Sequence, residues 1–430
     1  MESEPLREII FPIIGISRVM ALVITTHVFF ALIAIGAFAI SVYSEYLGYK
    51  RNQPELDRMA KGYMTFISVM VKVNGILGVL FIVLLGLFPR FTQWFYTIFF
   101  WPFLVEAILF LVIMSASIIY RETWEKYQNR KPIHLSIGIV CTIVVTLPAW
   151  INSAAWAFML TPGKYFETKK LVHALFNPTM IPSALHLFIS SIINAALLLV
   201  IYAYIQRYRK PDMRSYYDFI GSFNARIASW GILLHPIDGL LYLWIVYTSN
   251  RIAYQNIISG IAAPFFWIMV GFGSIAFILT LVYFRFGWER GRNLILFAGI
   301  CMFLAFPFGG YNRERARKPF LIYGQMYMSE QLVAPLPISP GAVETPAITA
   351  TVPKTGANII KEHSCRICHT ITGRGGSIGP RLNAKVIEKM FYGEKEKIKQ
   401  FLLFPPASMP PFNGSADDLD TLATYLLHLQ

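Results

Sequence analysis

The chain has 430 residues, of which 55% are hydrophobic and only 14% are charged, and its mean hydropathy is +0.51. These values exclude an ordinary soluble globular protein and are typical of a polytopic membrane protein. The formal net charge of +14 comes from basic residues in the loops between apolar runs. It therefore indicates membrane topology, and no nucleic-acid partner is expected.

Apolar runs long enough to cross a bilayer recur along the first three quarters of the chain. They predict about eight transmembrane helices, at 16–43, 63–88, 93–120, 135–161, 180–205, 223–248, 262–285 and 293–310. The first run is too long and too late for a cleavable signal peptide, and the head Met1-Glu2-Ser3-Glu4 is acidic rather than basic. We predict the all-α class, with a membrane helix bundle followed by a small all-α domain.

Basic residues alternate between rich and poor loops. The loops after the first, third, fifth and seventh predicted helices are rich, and they contain Lys50, Arg51, Arg58, Lys61, Arg121, Lys126, Arg130, Lys131, Arg207, Arg209, Lys210, Arg214, Arg285, Arg290 and Arg292. The loop after the second helix has Arg90 alone, and the loop after the sixth has Arg251 alone. The positive-inside rule then places both termini outside the cytoplasm. We expect a protein of the bacterial inner membrane, with its N-terminus and C-terminal domain in the periplasm.

Ionisable residues inside the predicted spans are costly, so each one is a functional candidate. They are His27, Lys72, Glu106, His186, His235 and Asp238. A histidine in a helix bundle can be a packed, hydrogen-bonded residue or a ligand of a b-type haem. Both interpretations stay open for His27 and His186 at this point. His235 precedes Pro236 and can fill a helix kink, while Lys72 can extend its ammonium to the interface.

The composition changes between residues 326 and 356. Prolines, alanines and threonines dominate there, from Ala334-Pro335-Leu336-Pro337 onward. Such a segment is typical of a semi-extended linker. We predict a membrane domain at 1–325, a linker at 326–356 and a separate domain at 357–430.

The C-terminal domain begins with the motif Cys365-Arg366-Ile367-Cys368-His369. C-x-x-C-H is the attachment signature of a covalent c-type haem, in which the two thiols bond the macrocycle and the histidine binds the iron. A bare C-x-x-C can also be a redox or zinc pair. Zinc would need further ligands nearby, and His363 is the one extra candidate. Cys141 and Cys301 lie alone in apolar runs, which is typical of small buried hydrophobic residues.

The order of segments after this motif supports one covalent haem c. Gly379-Pro380-Arg381-Leu382 comes next, then Met409 within Ser408-Met409-Pro410-Pro411-Phe412, and last a helical pattern at 415–429. This order resembles a small class I cytochrome c domain. His369 and Met409 would be the axial ligands, an arrangement that raises the reduction potential.

Five segments of the membrane domain match, in order and on the corresponding helices, the motifs of one family. They are Leu104-Val105-Glu106-Ala107, the stretch from Asn152-Ser153 to Pro162-Gly163, Phe176-Asn177-Pro178 with His186 after it, Trp267-Ile268-Met269-Val270-Gly271-Phe272-Gly273, and Glu314-Arg315-Ala316-Arg317-Lys318-Pro319-Phe320 with Tyr323-Gly324. Over roughly residues 10–325, the chain therefore resembles subunit I of the cytochrome bd-type oxidases.

The resemblance implies a set of haem ligands. His186 and Met269 would bind a low-spin haem b. His27 and Glu314 would bind two high-spin haems, of b or d type, at the oxygen-reducing site. A six-coordinate iron transfers electrons, whereas a five-coordinate iron keeps a position open for a diatomic molecule.

The resemblance also implies roles for two charged residues and a partner. Glu106 would lie near the oxygen-reducing site on a proton path. Arg317 would lie beside the haems and offset the charge of a propionate or an iron. The family works with a second membrane subunit, so a partner resembling subunit II is expected in the lipid bilayer.

Three departures from the family concern the electron donor. The connection at 249–262 is too short for the family's long quinol-oxidising loop, Trp267 replaces a motif arginine, and the ninth helix is missing. We therefore expect electrons to enter through haem c from an external c-type cytochrome or redox enzyme. Two alternatives remain, a non-catalytic electron-transfer subunit of a larger respiratory complex and a nitric oxide reductase-like variant.

Overall fold

The computed structural model describes residues 16–260, 262–318, 320–327, 354–363, 365–375, 379–405, 409 and 411–429. Except at its two ends, the predicted linker lies outside the described residues, as do Pro319, Ser408 and Pro410. The described residues are overwhelmingly helical, which confirms the all-α class.

The membrane part consists of helices joined by short connections. In chain order they are α1 (Ile16–Arg51), α2 (Pro54–Leu85), α3 (Pro89–Lys126), α4 (Lys131–Leu160), α5 (Tyr165–Thr168), α6 (Leu171–Leu175), α7 (Met180–Arg209), α8 (Arg214–Ser249), α9 (Arg251–Ile258) and α10 (Ala263–Ala316). Among the described residues, seven helices are long and apolar enough to cross a membrane, namely α1 to α4, α7, α8 and α10.

The seventh and eighth predicted spans are two arms of the single element α10. This element has 54 residues, which would make a straight helix about 81 Å long, far more than the bilayer core of about 30 Å. It is interrupted at Gly287, where φ is 68° and ψ is −171°. A positive φ is accessible to glycine at little cost, so this residue can join two spans without a loop.

Helix α7 carries His186 and lies inside the bundle. An added Cβ at Gly36 of α1 would lie 2.0 Å from the backbone oxygen of Ser191, so the two backbones touch only because this position is glycine. Ala195 and Ala196 of α7 are fully buried in the main apolar core. Small residues therefore set how closely α1 and α7 pack.

The chain divides into two compact units, and most of the long-helix residues belong to one of them. The described residues from Arg317 onward belong to the other. They form the antiparallel pair β1 (Phe320–Ile322) and β2 (Met326–Tyr327), then α11 (Gly356–Glu362), α12 (Cys365–Cys368), β3 (Thr370–Ile371), β4 (Arg374–Gly375), α13 (Ala384–Phe391), α14 (Lys395–Leu403) and α15 (Ala416–Leu427).

The C-terminal helices pack around a small apolar core. Ile359, Ile371, Ile387 and Leu422 are each at most 2% exposed. The predicted final helix is confirmed as α15. The Ser415 hydroxyl caps its N-terminus by accepting a 3.1 Å hydrogen bond from the backbone N–H three residues later.

Candidate haem-binding sites

The C-x-x-C-H motif forms the one-turn helix α12. The backbone N–H of His369 donates to the carbonyl of Cys365 at 2.9 Å, which closes this turn. Residues three apart on a helix share one face, so Cys365 and Cys368 present their sulfurs on the same side. Burial raises the pKa of both thiols to about 11. The turn therefore offers two neutral thiols and a histidine, the set that a c-type haem requires.

The His369 imidazole is fixed in one tautomer. Its ring is buried, and Nδ1–H donates to the carbonyl of Pro380 at 2.8 Å. Because a carbonyl only accepts, the proton is on Nδ1 and the Nε2 lone pair is free for a metal. Burial also lowers the pKa of His369, which favours the neutral ring. Gly379 lies against the imidazole, and an added Cβ there would be 2.3 Å from Cε1. These contacts fit an iron-ligating histidine.

Met409 belongs to the apolar core of the same domain. It is half-buried and packs against this core together with Cys365, Leu382 and Phe412. The thioether and the attachment helix are therefore parts of one packed unit. That Met409 ligates the iron remains a prediction.

We expect Gly379→Ala to disturb the His369 site. The new methyl would overlap the imidazole at 2.3 Å, so the ring or the loop must move, and such overpacking costs typically about 1–3 kcal/mol. Denaturant unfolding of the full-length protein, followed through haem c absorbance, should show a lower midpoint. Gly62→Ala is the control because an added Cβ there meets nothing within 4 Å. Equal midpoints for both variants would contradict the close contact.

In the membrane domain, His186 is held by a carboxylate from α8. Its Nδ1 lies 2.7 Å from Oδ2 of Asp238, which is 4% exposed. His235 stacks on the His186 ring with centroids 4.2 Å apart, and its Nδ1 lies 3.3 Å from the other Asp238 oxygen. A carboxylate that accepts from Nδ1–H leaves Nε2 to a metal and makes it a stronger ligand. The His186 site therefore fits a haem iron.

Met269 lies on the first arm of α10. An added Cβ at Gly309, on the second arm, would lie 2.9 Å from its sulfur, so a glycine is needed beside the thioether. Met269 and Tyr242 pack against the same apolar cluster, and the Tyr242 ring is 6.5 Å from the His186 ring. His186 and Met269 are thus connected through Tyr242 and this apolar cluster. That they bind one low-spin haem remains a prediction.

His27 of α1 faces α2. Its ring stacks on Phe81 with centroids 6.4 Å apart, and an added Cβ at Gly78 would lie 3.1 Å from its Cε1. Its Nδ1 is buried and makes no well-formed hydrogen bond within the part of the chain that the structure describes. The ring also lies beside the backbone carbonyl of Asn74, which can accept from one ring nitrogen and leave the other for an iron. His27 therefore fits a ligand position.

Aromatic contacts connect the His27 side of the bundle to the end of α10. The Phe81 ring lies 6.1 Å from the ring of Trp156. Arg313 donates to the backbone oxygen of Trp156 and lies over its ring at 5.7 Å. Glu314 follows Arg313 directly and is half-buried. Sequence reasoning did not assign Arg313, which lies next to the predicted ligand Glu314.

Glu106 is half-buried where α3 meets α4. Its Oε1 accepts a 2.5 Å hydrogen bond from the side-chain amide of Asn152, which also donates to the Pro148 carbonyl at 3.1 Å. This hydrogen bond joins the motif segment that contains Glu106 to the motif segment that begins at Asn152. The buried Arg317 donates to the backbone carbonyls of Phe320 and Leu321. Its predicted place beside the haems remains a prediction.

The connection between α8 and α10 is a short packed helix. Asn250 caps α9 and also donates to the Leu160 carbonyl at 3.0 Å. Trp267, at the position of the family's motif arginine, donates from its indole to the Ile258 carbonyl at 3.0 Å. The segment is therefore compact and tied to its neighbours at both ends.

The comparisons with known proteins identify the family and the fold of the membrane domain. The family model "Cytochrome bd terminal oxidase subunit I" matches residues 16–239. The chain belongs to this family. The bd oxidase from Geobacillus thermodenitrificans matches at 18% identity with a TM-score of 0.65, covering 72% of this chain and 88% of that chain. At this identity the likeness establishes the fold, which is that of a multi-pass membrane protein.

The C-terminal domain has its own relatives. The model "Cytochrome C oxidase, cbb3-type, subunit III" matches residues 351–426. Cytochrome c-555 of Methylococcus capsulatus is 33% identical over 92 residues, which are 20% of this chain and 72% of that protein. This member of the bd oxidase subunit I family therefore carries a cytochrome c domain and is a haem-binding oxidoreductase subunit.

Sequence reasoning missed the grouping of His186, His235 and Asp238. Their ligand atoms all lie within 4.8 Å of one another. The interpretation of His235 as a filler of the kink at Pro236 did not foresee its stacking on His186. The spacing of three between His235 and Asp238 was the available signal, because it places both on one helix face.

Proposed function

We propose that this chain accepts electrons at its cytochrome c domain and uses them to reduce oxygen at its membrane domain. The observation that carries the proposal is that His369 and His186 each bind a protein acceptor through Nδ1, which frees Nε2 for an iron. When bound, one haem c and up to three haems of b or d type would supply the electron carriers and the open iron position.

The residues divide into electron-carrying and oxygen-binding sets. His369 and Met409 would hold one iron at the entry, and His186 and Met269 would hold the next. His27 and Glu314 would hold irons at the oxygen site. Two further residues would serve that site, with Glu106 passing protons and Arg317 balancing negative charge.

The compact α9 supports an external donor that is not a quinol. Its eight residues, tied to Leu160 and Trp267, leave no long outer segment between α8 and α10. A c-type cytochrome or redox enzyme that meets the cytochrome c domain is the natural electron donor. On this proposal the C-terminal domain lies on the periplasmic side of the inner membrane. A second membrane subunit would close the haem region against water.

Oxygen consumption by the purified complex tests the function. We expect turnover with reduced cytochrome c to exceed turnover with a soluble quinol by at least about tenfold, since only the former would have an entry site. No oxygen consumption with cytochrome c would refute the proposal. In that case, wholly low-spin spectra would indicate a relay subunit, and consumption of nitric oxide would indicate a reductase of that gas.

A further inference from the structure

A buried polar cluster lies where α1, α3 and α4 meet, at the end of the bundle with the basic loops. Glu45 of α1 is fully buried. Its carboxylate accepts from the Tyr120 hydroxyl at 2.9 Å and from the Lys131 ammonium at 3.4 Å. Nδ1 of His134 lies 2.6 Å from the same carboxylate. Neither the family motifs nor the proposed haem sites use these residues.

The hydrogen bonds of His134 require an additional proton. Its Nε2 lies 3.0 Å from the backbone carbonyl of Tyr120, and a carbonyl only accepts, so Nε2 carries a hydrogen. Nδ1 faces the Glu45 carboxylate, so a second hydrogen must lie between them. The Glu45–His134 pair therefore holds one proton more than a carboxylate beside a neutral imidazole.

The charges of the cluster lead to the same conclusion. Asp57 of α2 lies 2.8 Å from the Lys131 ammonium, which also lies 3.7 Å from the centre of the Trp124 ring. The charged and titratable groups are Glu45, Asp57, Lys131 and His134, together with the Tyr120 hydroxyl. The Asp57 side chain is 31% exposed and lies closer to the Lys131 ammonium than Glu45 does. The fully buried Glu45 carboxylate therefore shares its one cation, and a proton on the pair would complete its neutralisation.

The cluster shares the α3–α4 interface with Glu106. Tyr120 and His134 meet at one end of this interface, with ring centroids 4.8 Å apart. Glu106 and Asn152 meet towards the other end. His134 and Asn152 are 152 − 134 = 18 residues apart, which is five helical turns, so they lie on the same face of α4 about 27 Å apart.

We propose that Glu45 and His134 form the proton-entry site that supplies Glu106 along the α3–α4 interface. The inference rests on the proposed function, because oxygen reduction to water consumes one proton for every electron. Water on the side of the basic loops would protonate the pair. One proton would then leave it toward Glu106 per electron delivered, and the pair would be reprotonated from the same side.

Two substitutions separate this role from a structural ion pair. Glu45→Gln keeps the size of the side chain and one acceptor oxygen but cannot exchange a proton at neutral pH. His134→Gln can still donate to Glu45 or to the Tyr120 carbonyl but has no titratable ring. Glu125→Gln is the matched control, because the Lys61–Glu125 pair lies near the same end of the bundle and is exposed.

The first measurement is steady-state oxygen consumption by the full-length complex, after haem content and thermal stability have been checked. We expect both cluster variants to keep their haems and to lose at least about tenfold in turnover, a bound set below the roughly 100- to 10,000-fold that a proton-transfer group contributes. Glu125→Gln should match the wild type. Turnover within twofold of wild type in both folded cluster variants would overturn the inference and leave a structural ion pair.

The second measurement does not depend on oxygen. A pH-indicating dye follows the rate of proton uptake when a reductant that releases no proton on oxidation, such as hexaammineruthenium(II), reduces the haems of the same complex without oxygen. Both cluster variants should take up protons at least about tenfold more slowly than the wild type. Unchanged uptake rates would overturn the inference, whether or not the wild type consumes oxygen. Failure of the proposed function would instead appear as a wild type without oxygen turnover.

Discussion

Replacing both Cys365 and Cys368 by alanine is expected to abolish covalent haem attachment and to reduce turnover with reduced cytochrome c to background. Both sulfurs lie on the one-turn helix α12 beside His369. Covalent attachment at this site depends on these two thiols. Haem staining of the denatured protein and oxygen consumption measure the two losses. The membrane haems should remain, since their proposed ligands lie in the other unit.

Cys301→Ala is the control for this experiment. Cys301 is a half-buried cysteine of α10 that packs against the main apolar core of the bundle. Its replacement should leave covalent haem and turnover unchanged. If the double variant keeps full activity with reduced cytochrome c, electrons enter elsewhere and the proposed role of the C-terminal domain is wrong.

His186→Gln is expected to remove the low-spin membrane haem and to lower turnover by at least about 100-fold. Loss of a residue that only orients a metal ligand costs roughly 10- to 100-fold, so loss of the ligand itself should cost more. Glutamine can still donate to Asp238, which lies 2.7 Å from the imidazole. The change therefore removes the iron ligand while a hydrogen bond to α8 is kept.

Optical spectra of the reduced complex measure the haem loss, with His173→Gln as the matched control. His173 bonds the Thr168 hydroxyl at 2.6 Å, and both residues belong to short connecting helices. Its replacement should preserve the low-spin band and the turnover. A normal low-spin spectrum in His186→Gln would contradict the ligand assignment. His235, which stacks on the same ring, would then be the next candidate ligand.

Local sequence was sufficient to predict a site wherever its residues are neighbours in the chain. Cys365, Cys368 and His369 are predicted and observed on one turn, since their geometry depends on a few adjacent dihedral angles. The apolar runs likewise predicted the long helices, because a span follows from length and hydrophobicity. The one difference there is Gly287, where a positive φ joins two predicted spans inside α10.

Side-chain contacts between different helices could not be predicted from the local sequence. Asp238 is 52 residues from His186, and Glu45 is 89 residues from His134. Each pair depends on how two helices are rotated and shifted against each other, and small residues such as Gly36 set that packing. Motif resemblance supplied His27, Met269 and Glu314 as candidates, but it did not supply the side chains around them.

The sequence by itself determined the membrane class, the cytochrome c motif and the list of candidate ligands. These follow from composition, from contiguous spacing and from motifs on single helices. Only the tertiary structure decided which ring nitrogen of His186 and of His369 remains free, and that Glu45 and His134 meet as one buried pair. The reason is physical, because tautomers and shared protons depend on acceptors that the fold brings from distant parts of the chain.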